Sequence, residues 1–127
     1  MDTKICTSIE QSKKLIELGI DARTADMYYF DDHYNLVSLK TDFSYENYLL
    51  YNRTEFDYIP AWSLTALFGV LPKIGAHEPM LRKLYYISEP TERYICQYSL
   101  TDMTSEYDNP VDACYEMIIK LKEKNLL

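Results

Sequence analysis

The residues that could carry out chemistry in this chain occur as fragments of motifs. Ser63 lies in the segment AWSLT (61–65), which lacks both glycines of the sharp turn that presents a nucleophilic serine. His77 is followed by Glu78, but the second histidine of a zinc-protease helix is missing. Motif spacing therefore predicts neither a catalytic serine nor a zinc-binding histidine pair.

Two acidic segments share some features with calcium-binding loops. Asp31, His33 and Asn35 alternate as the first ligands of such a loop do, but a leucine replaces the glycine of its turn and an aspartate replaces its closing glutamate. The segment 102–108 fails the same comparison. A glycine-rich phosphate loop is excluded because the three glycines are singly placed. We expect no metal or cofactor, and interpret both segments as solvated acidic loops.

A small enzyme with an unrecognised site is one alternative hypothesis. Asp26, His33 and His77 carry the ionisable groups best suited to acid–base chemistry. An enzyme requires at least two of these groups to converge in one pocket. Dispersal of the three over the surface would remove the enzyme hypothesis.

Acidic charge is concentrated in two stretches of the chain, whose net charge is −7. Residues 24–60 and residues 84–117 each hold seven acids, against two basic residues in the first stretch and one in the second. Such a field repels phosphate backbones, so direct binding of DNA or RNA is not expected. A second alternative is that the acids mimic nucleic-acid charge and occupy a basic groove on another protein.

Tyrosine is the other unusual feature, because 13 of the 127 residues are tyrosines and they fall in the same two stretches. One interpretation is that a small sheet uses a tyrosine face as its core. The other is a dedicated binding face, since tyrosine supplies rigid contact area with a polar tip. The candidate interaction surface consists of Tyr28, Tyr29, Asp31, Asp32, Tyr85, Tyr86, Tyr94 and Tyr98.

Chain length and terminal composition predict a single cytoplasmic domain spanning residues 1–127. The first ten residues lack the apolar core of a signal peptide, and the longest uncharged run, 58–72, is too short for a membrane helix. An odd number of scattered cysteines suits a reducing compartment. We therefore expect no membrane span, and free buried thiols at Cys6, Cys96 and Cys114.

The first half of the chain predicts a helix followed by a hairpin. Thr7 and Glu10 are spaced as a capping box, and Gly19 is placed to end the helix in the left-handed conformation. Residues 27–30 and 36–40 have strand character on either side of a turn-prone segment. Residues 41–59 lack clean periodicity and are predicted to form a long, tyrosine-rich acidic loop with one strand around 48–51.

The second half predicts a helix, a hairpin and a last helix. Pro60 suits the first position of the second helix, whose apolar residues repeat from Leu64 to Leu71 and which Pro72 ends. Residues 83–88 and 93–100 are predicted strands with a four-residue link. Asn109 and Pro110 open the last helix, whose predicted buried stripe is Val111, Cys114, Met117, Ile118 and Leu121.

The resulting order is α-ββ-α-ββ-α, which predicts a two-layer α+β domain with antiparallel hairpins packed against helices. The apolar stripes of the second and third helices, which include Leu67 and Met117, are expected to share one core. Short hairpins leave open sheet edges, and the predicted strands have few lysines to block pairing, with Lys40 and Lys83 only at strand ends. A two-fold homodimer that buries this aromatic surface is therefore one expectation.

Four segments together resemble a family of small uncharacterised proteins of gut bacteroidete genomes and their prophages. They are TSIEQS (7–12), TADMYY (24–29), PAWSL (60–64) and DNPVDA (108–113), which cover both ends and the centre of the chain. The region 31–57 is the variable part in this resemblance. What the resemblance implies is an accessory protein of mobile or phage-derived DNA, and it offers no catalytic residues to carry over.

The function that these features favour is non-enzymatic. We expect a protein-interaction or accessory protein of phage or mobile-element origin that binds a protein partner through its tyrosine- and acid-rich surface. The small enzyme and the acidic nucleic-acid mimic are the two alternatives.

Overall fold

The computed structural model describes residues 4–30, 35–38, 59–87, 91–99, 104 and 106–127. The chain divides into two compact units, an N-terminal unit (Cys6–Ala66) and a C-terminal unit (Met1–Ile5 with Leu67–Leu127). Helices and hairpins follow one another in the predicted α+β order. A single domain over residues 1–127 stays a prediction, and the predicted loop at 41–59 lies outside the described residues up to residue 58.

Helix α1 (Ile9–Glu17) begins one residue later than the predicted capping box implies. Ser8 is the N-cap: its hydroxyl accepts the amide of Gln11 at 3.1 Å, and the Gln11 side chain accepts the amide of Ser8 at 2.9 Å. The box on Thr7 and Glu10 is therefore wrong. Two overlapping pairs fit the same sequence pattern, and the hydroxyl of Thr7 is used elsewhere.

Helix α1 ends immediately before Gly19, as the position of this glycine predicts. Gly19 has φ of +90°, its amide donates to Ile16, and the amide of Ile20 donates to Leu15 at 3.0 Å. These two bonds form a Schellman motif, which satisfies carbonyls that the helix leaves open. A short 3-10 helix (Ala22–Thr24) follows and leads into the first strand.

The N-terminal unit contains a three-stranded antiparallel sheet in the order β2-β1-β3. Its strands are β1 (Met27–Phe30), β2 (Asn35–Ser38) and β3 (Ile59–Ala61). The predicted hairpin of β1 and β2 is present, with Tyr28 opposite Val37. Pro60 lies within β3 opposite Tyr28, so the prediction that it opens a helix is wrong. An edge strand accepts proline because one side of its backbone has no ladder bonds to lose.

Helix α2 (Leu64–Val70) begins after Ser63, whose hydroxyl accepts the amide of Ala66 at 3.2 Å. The apolar repeat is confirmed at Leu67, which has no exposed surface, and at Leu71, which is 7% exposed. Leu64 and Phe68 are only half-buried. The boundary between the two units falls within this helix, and one core shared by the second and third helices stays a prediction.

The C-terminal unit is a hairpin of β4 (Met80–Tyr86) and β5 (Thr91–Gln97) with a long last helix. The hairpin packs on α3 (Pro110–Glu123) mainly through β5. Strand β4 begins three residues earlier than predicted, so Lys83 lies in its middle, opposite Tyr94, rather than at its end.

Helix α3 follows its sequence signals. Asn109 caps it by accepting the amide of Asp112 at 2.8 Å, and Pro110 occupies the first turn, where its missing amide costs nothing. All five residues of the predicted stripe are at most 3% exposed. The three cysteines are free and buried, as expected, and Cys96 on β5 meets Cys114 on α3. The hydrogen bond to Cys96 and burial both raise the pKa of the Cys114 thiol.

Candidate functional site

Two tyrosines of the candidate surface belong to the interior of the N-terminal unit. Tyr28 is 9% exposed. Tyr29 is half-buried, and its hydroxyl donates to the carbonyl of Thr7 at 2.7 Å and lies 3.5 Å from the sulfur of Cys6. Burial and the contact with Cys6 raise the pKa of Tyr29. Tyr28 is therefore buried in the unit, and the hydroxyl of Tyr29 is bonded within it.

Tyr98 is also an interior residue, in the C-terminal unit. It is 8% exposed, and its hydroxyl donates to the carbonyl of Pro72 at 2.6 Å. Burial raises the pKa of Tyr98 to about 12, so it stays protonated and keeps this bond at ordinary pH. Because the ring is buried and the hydroxyl is bonded within the unit, little of Tyr98 is accessible to a binding partner.

Tyr85 and Tyr94 lie on one side of the β4–β5 hairpin together with an ion pair. Tyr85 is directly opposite Glu92 and is 62% exposed. The hydroxyl of Tyr94 donates to Oε2 of Glu92 at 3.2 Å, and Nζ of Lys83 lies 2.9 Å from Oε1 of the same carboxylate. These four residues, Lys83, Tyr85, Glu92 and Tyr94, are called the hairpin cluster below.

The geometry of the hairpin cluster follows from antiparallel register. Lys83 is opposite Tyr94, and Glu92 is two residues before Tyr94, so the three side chains emerge from the same face. The bond to Lys83 lowers the pKa of Glu92, and the same bond raises the pKa of Lys83. Both groups therefore stay charged over a wide pH range and cancel each other locally.

The remaining predicted surface residues cannot be placed on this face. Asp31 and Asp32 lie outside the described residues, and only the backbone of Tyr86 is described, in β4 opposite Thr91. Sequence reasoning missed Lys83 and Glu92. The available signal was an opposite-charge pair flanking the link of a predicted hairpin, which is a favourable cross-strand arrangement.

A second cluster of polar side chains joins three of the segments that carry the family resemblance. Thr7 is completely buried; its hydroxyl accepts the amide of Trp62 at 3.0 Å and lies 2.8 Å from the hydroxyl of Ser12. The indole of Trp62 donates to the hydroxyl of Thr24 at 2.9 Å. Thr24 in turn donates to the carbonyl of Asp21 at 2.6 Å. Residues of TSIEQS, TADMYY and PAWSL thus form one hydrogen-bonded network, which is buried at Thr7, Ser12 and Trp62 and exposed at Thr24.

Asp26 and Ser63 extend this network and account for the serine that the sequence singles out. The amide of Ser63 donates to Oδ1 of Asp26 at 2.9 Å, and its hydroxyl donates to Oδ2. The same hydroxyl accepts the amide of Ala66 as the cap of α2. Carboxylate and hydroxyl therefore fix the start of a helix, which is a structural use of a pair that otherwise suggests catalysis.

His77 lines a hollow of about 370 Å³ in the C-terminal unit, open to solvent beside α3. Its other lining residues are Ile74, Tyr98, Met117, Lys120, Leu121, Lys124 and Leu126. Asp26 is bonded to Ser63, and His33 lies outside the described residues. The described part of the chain does not bring two of the three candidate acid–base residues together in this hollow.

Within the described residues, no cluster of histidine, cysteine and acidic side chains has the arrangement of a metal site. None of the helices described is both long and apolar enough to cross a membrane. No protein-family model, curated protein or solved structure matches this chain.

Proposed function

We propose that this chain is a non-enzymatic protein-interaction protein that binds its partner through the hairpin cluster. The observation that carries the proposal is Tyr85, a large aromatic side chain that is 62% exposed and stands directly opposite Glu92. Tyrosine is enriched at protein interfaces because its ring buries apolar area while its hydroxyl finds a polar partner.

The cluster combines this ring with charges that are already compensated. Glu92 accepts from both Lys83 and Tyr94, so a partner that covers the face does not bury an isolated carboxylate. The strand pairing also holds the backbone of both strands, which limits the conformational entropy lost on binding. An aromatic residue surrounded by satisfied polar groups has the composition of a binding hot spot.

The acidic nucleic-acid mimic is less well supported by the described residues. Glu92 is paired with Lys83, and Asp108 is paired with Arg93. A mimic needs carboxylates whose charge is available to a basic groove. Glu92 on the hairpin and Asp108 beyond it are each compensated by a basic side chain of the same chain.

The resemblance of the four segments also supports a proposal about the origin of the protein. We infer an accessory protein of phage or other mobile DNA, whose role is to bind a protein of the cell that carries it. The network around Thr7 supports a shared fold as the reason for three of those segments, because their residues bond to one another.

The proposal is tested by quantitative affinity capture from lysate of the cells that encode the protein. The baits are the wild type, Tyr85→Ala, Glu92→Ala and the control Met80→Ala. Met80 is 56% exposed on the same strand, but its side chain emerges from the opposite face. We expect the partner to be captured by the wild type and by Met80→Ala, and lost from the other two.

The captured protein is then purified, and its affinity is measured by calorimetry. Loss of a hot-spot tyrosine should weaken binding by about tenfold or more. Melting curves of all four baits control for folding. Equal capture and equal affinity for the wild type and Tyr85→Ala would contradict the proposal.

A further inference from the structure

The outer edge of β5 is covered by the chain itself. Tyr94 and Tyr107 exchange two backbone bonds, of 2.8 and 2.9 Å, along this edge. The amide of Thr104 donates to the carbonyl of Cys96 at 2.9 Å, and the amide of Cys96 donates to the hydroxyl of Thr104. Thr104 and Tyr107 therefore occupy the side of β5 that faces away from β4.

These bonds determine which backbone groups of β4 are open. In an antiparallel ladder, residues alternate between bonding to one neighbour and to the other. Tyr94 and Cys96 bond outward, so Lys83 and Leu81, which are opposite them, direct their own amides and carbonyls to the outer edge of β4. Tyr85, two residues further, does the same. No described residue bonds to these three backbone positions.

Within the described residues, no covering segment, proline or bulge protects the outer edge of β4. Natural edge strands are blocked by lysine, proline, bulges or a covering segment. Lys83 is the lysine at the centre of this strand, but its ammonium group is paired with Glu92 of β5. Its charge is therefore compensated by a side chain of the neighbouring strand.

We propose that the open edge of β4 pairs with β4 of a second copy of this chain, in an antiparallel two-fold arrangement centred on Lys83. In this register Lys83 is opposite Lys83 of the partner subunit, and Leu81 is opposite Tyr85 of the partner subunit. Each of these hydrogen-bonded pairs exchanges two backbone bonds. The two hairpins become one four-stranded sheet.

The side chains favour a second copy because β4 is self-complementary about Lys83. Leu81 and Tyr85 stand at equal distances on either side of it, so the two-fold axis brings a leucine against a tyrosine twice. Pairs of aromatic and aliphatic residues across strands are stabilising. The two central lysines would repel each other if unpaired, but each belongs to an ion pair with Glu92, so the central four charges are balanced.

The net charge of −7 opposes this association at long range. Exposed charges are screened beyond about 8–10 Å at ordinary ionic strength. Backbone bonds and the leucine–tyrosine contacts are short-range and are not screened in this way. Dimerisation should therefore strengthen as salt rises, which is the opposite of an interface held by exposed ion pairs.

The first test is sedimentation velocity of the full chain between 1 and about 100 μM, in low and moderate salt. We expect a concentration-dependent species of twice the 15.0 kDa monomer mass. The variant Lys83→Pro removes an amide that points outward and takes no part in the β4–β5 ladder. It should keep its hairpin while its dimer dissociation constant rises by about tenfold or more.

A second test does not depend on the proline variant folding. Opposite residues in a hydrogen-bonded antiparallel pair have Cα atoms about 5.5 Å apart, which lies within disulfide range. The variant Lys83→Cys should thus form a disulfide-linked dimer under mild oxidation by oxidised glutathione. Met80→Cys is the matched control, because in this register residue 80 is opposite residue 86 of the second copy, and its two cysteines are too far apart to form a disulfide.

The outcomes separate the possible occupants of this edge. A wild-type chain that stays monomeric over the whole concentration range overturns the proposal. A dimer that Lys83→Pro does not weaken and that Lys83→Cys does not cross-link also overturns it. If the monomeric wild type still captures a partner that Leu81→Pro loses, the edge receives an extended segment of another protein instead, because Leu81 also directs its amide outward but lies outside the hairpin cluster. Dimerisation can be measured without the partner, so its failure leaves the proposed function standing, and the reverse also holds.

Discussion

Two hydrogen bonds join Thr7 to the backbone of Trp62, one through the Thr7 amide and one through the Thr7 hydroxyl. The amide of Thr7 donates to the carbonyl of Trp62 at 2.9 Å, and the amide of Trp62 donates to the hydroxyl of Thr7 at 3.0 Å. Both residues are completely buried. Since neither polar group can reach water, the side chain of Thr7 is the partner on which the buried amide of Trp62 depends.

Replacing Thr7 by valine keeps the size of the side chain but leaves the amide of Trp62 without its acceptor. An unsatisfied buried donor costs about 1–3 kcal/mol, so the free energy of unfolding should fall by that amount. Urea unfolding followed by tryptophan fluorescence measures it, since Trp62 is the chain's single tryptophan. Thr7→Ser is the control and should recover most of the loss. Equal unfolding curves for Thr7→Val and the wild type would contradict this role.

The start of α1 offers a direct comparison between the two possible capping boxes. Ser8→Ala removes the observed cap and should lower the free energy of unfolding by about 0.5–2 kcal/mol. Glu10→Ala removes the side chain that the alternative box needs and should change it by less than about 0.5 kcal/mol. Thermal unfolding of the two variants side by side checks this. A larger effect from Glu10→Ala than from Ser8→Ala would restore Thr7 as the cap.

Leu67 has no exposed surface, so its truncation leaves a cavity. Leu67→Ala should lower the free energy of unfolding by about 2–5 kcal/mol. Thr65 lies on the same helix and is exposed, which makes Thr65→Ala the matched control, with an expected change of less than about 0.5 kcal/mol. Denaturant titration of both variants is the measurement. A midpoint unchanged by Leu67→Ala would show that the side chain is not in a core.

The environment of Glu116 predicts that the stability of the protein depends on pH. Burial, followed by the nearby charges of Asp112 and Glu123, raises the pKa of this carboxyl in the folded protein. The folded state therefore binds the proton more tightly than the unfolded state, and the stability from that binding is present at low pH and lost as pH rises through the folded pKa.

At pH 7 the charged Glu116 is unfavourable, so Glu116→Gln should raise the melting temperature. Because the side chain is only partly buried, the gain should be at most about 0.5 kcal/mol. The difference should vanish below the ordinary pKa of glutamate, where both proteins carry a neutral side chain. Melting curves from pH 3 to 8 measure it; a gain that is the same at every pH would rule out titration of Glu116 as the cause.

Local sequence signals determined the helix ends and helix faces, because the residues that form them lie within one or two helical turns of each other. Gly19 ends α1 and Asn109 with Pro110 begins α3, because those bonds join residues at most five apart and any helix needs them. The buried stripe of α3 is equally local, since the 3.6-residue period places its members on one side. The α-ββ-α-ββ-α order follows from such signals alone.

Tertiary structure decided every case in which one residue type suits two environments. Thr7 and Ser8 are equally good caps by sequence, and a bond from an amide 55 residues away assigns Thr7 to the network and leaves Ser8 at the helix. Pro60 fits a helix start or an edge strand, and its pairing with β1 chooses the strand. The tyrosines divide in the same way: Tyr98 finds a carbonyl in the interior, whereas Tyr85 faces solvent opposite Glu92. A tyrosine carries the same ring and hydroxyl in either place, so only the distant chain that meets it determines whether it belongs to the core or to a binding surface.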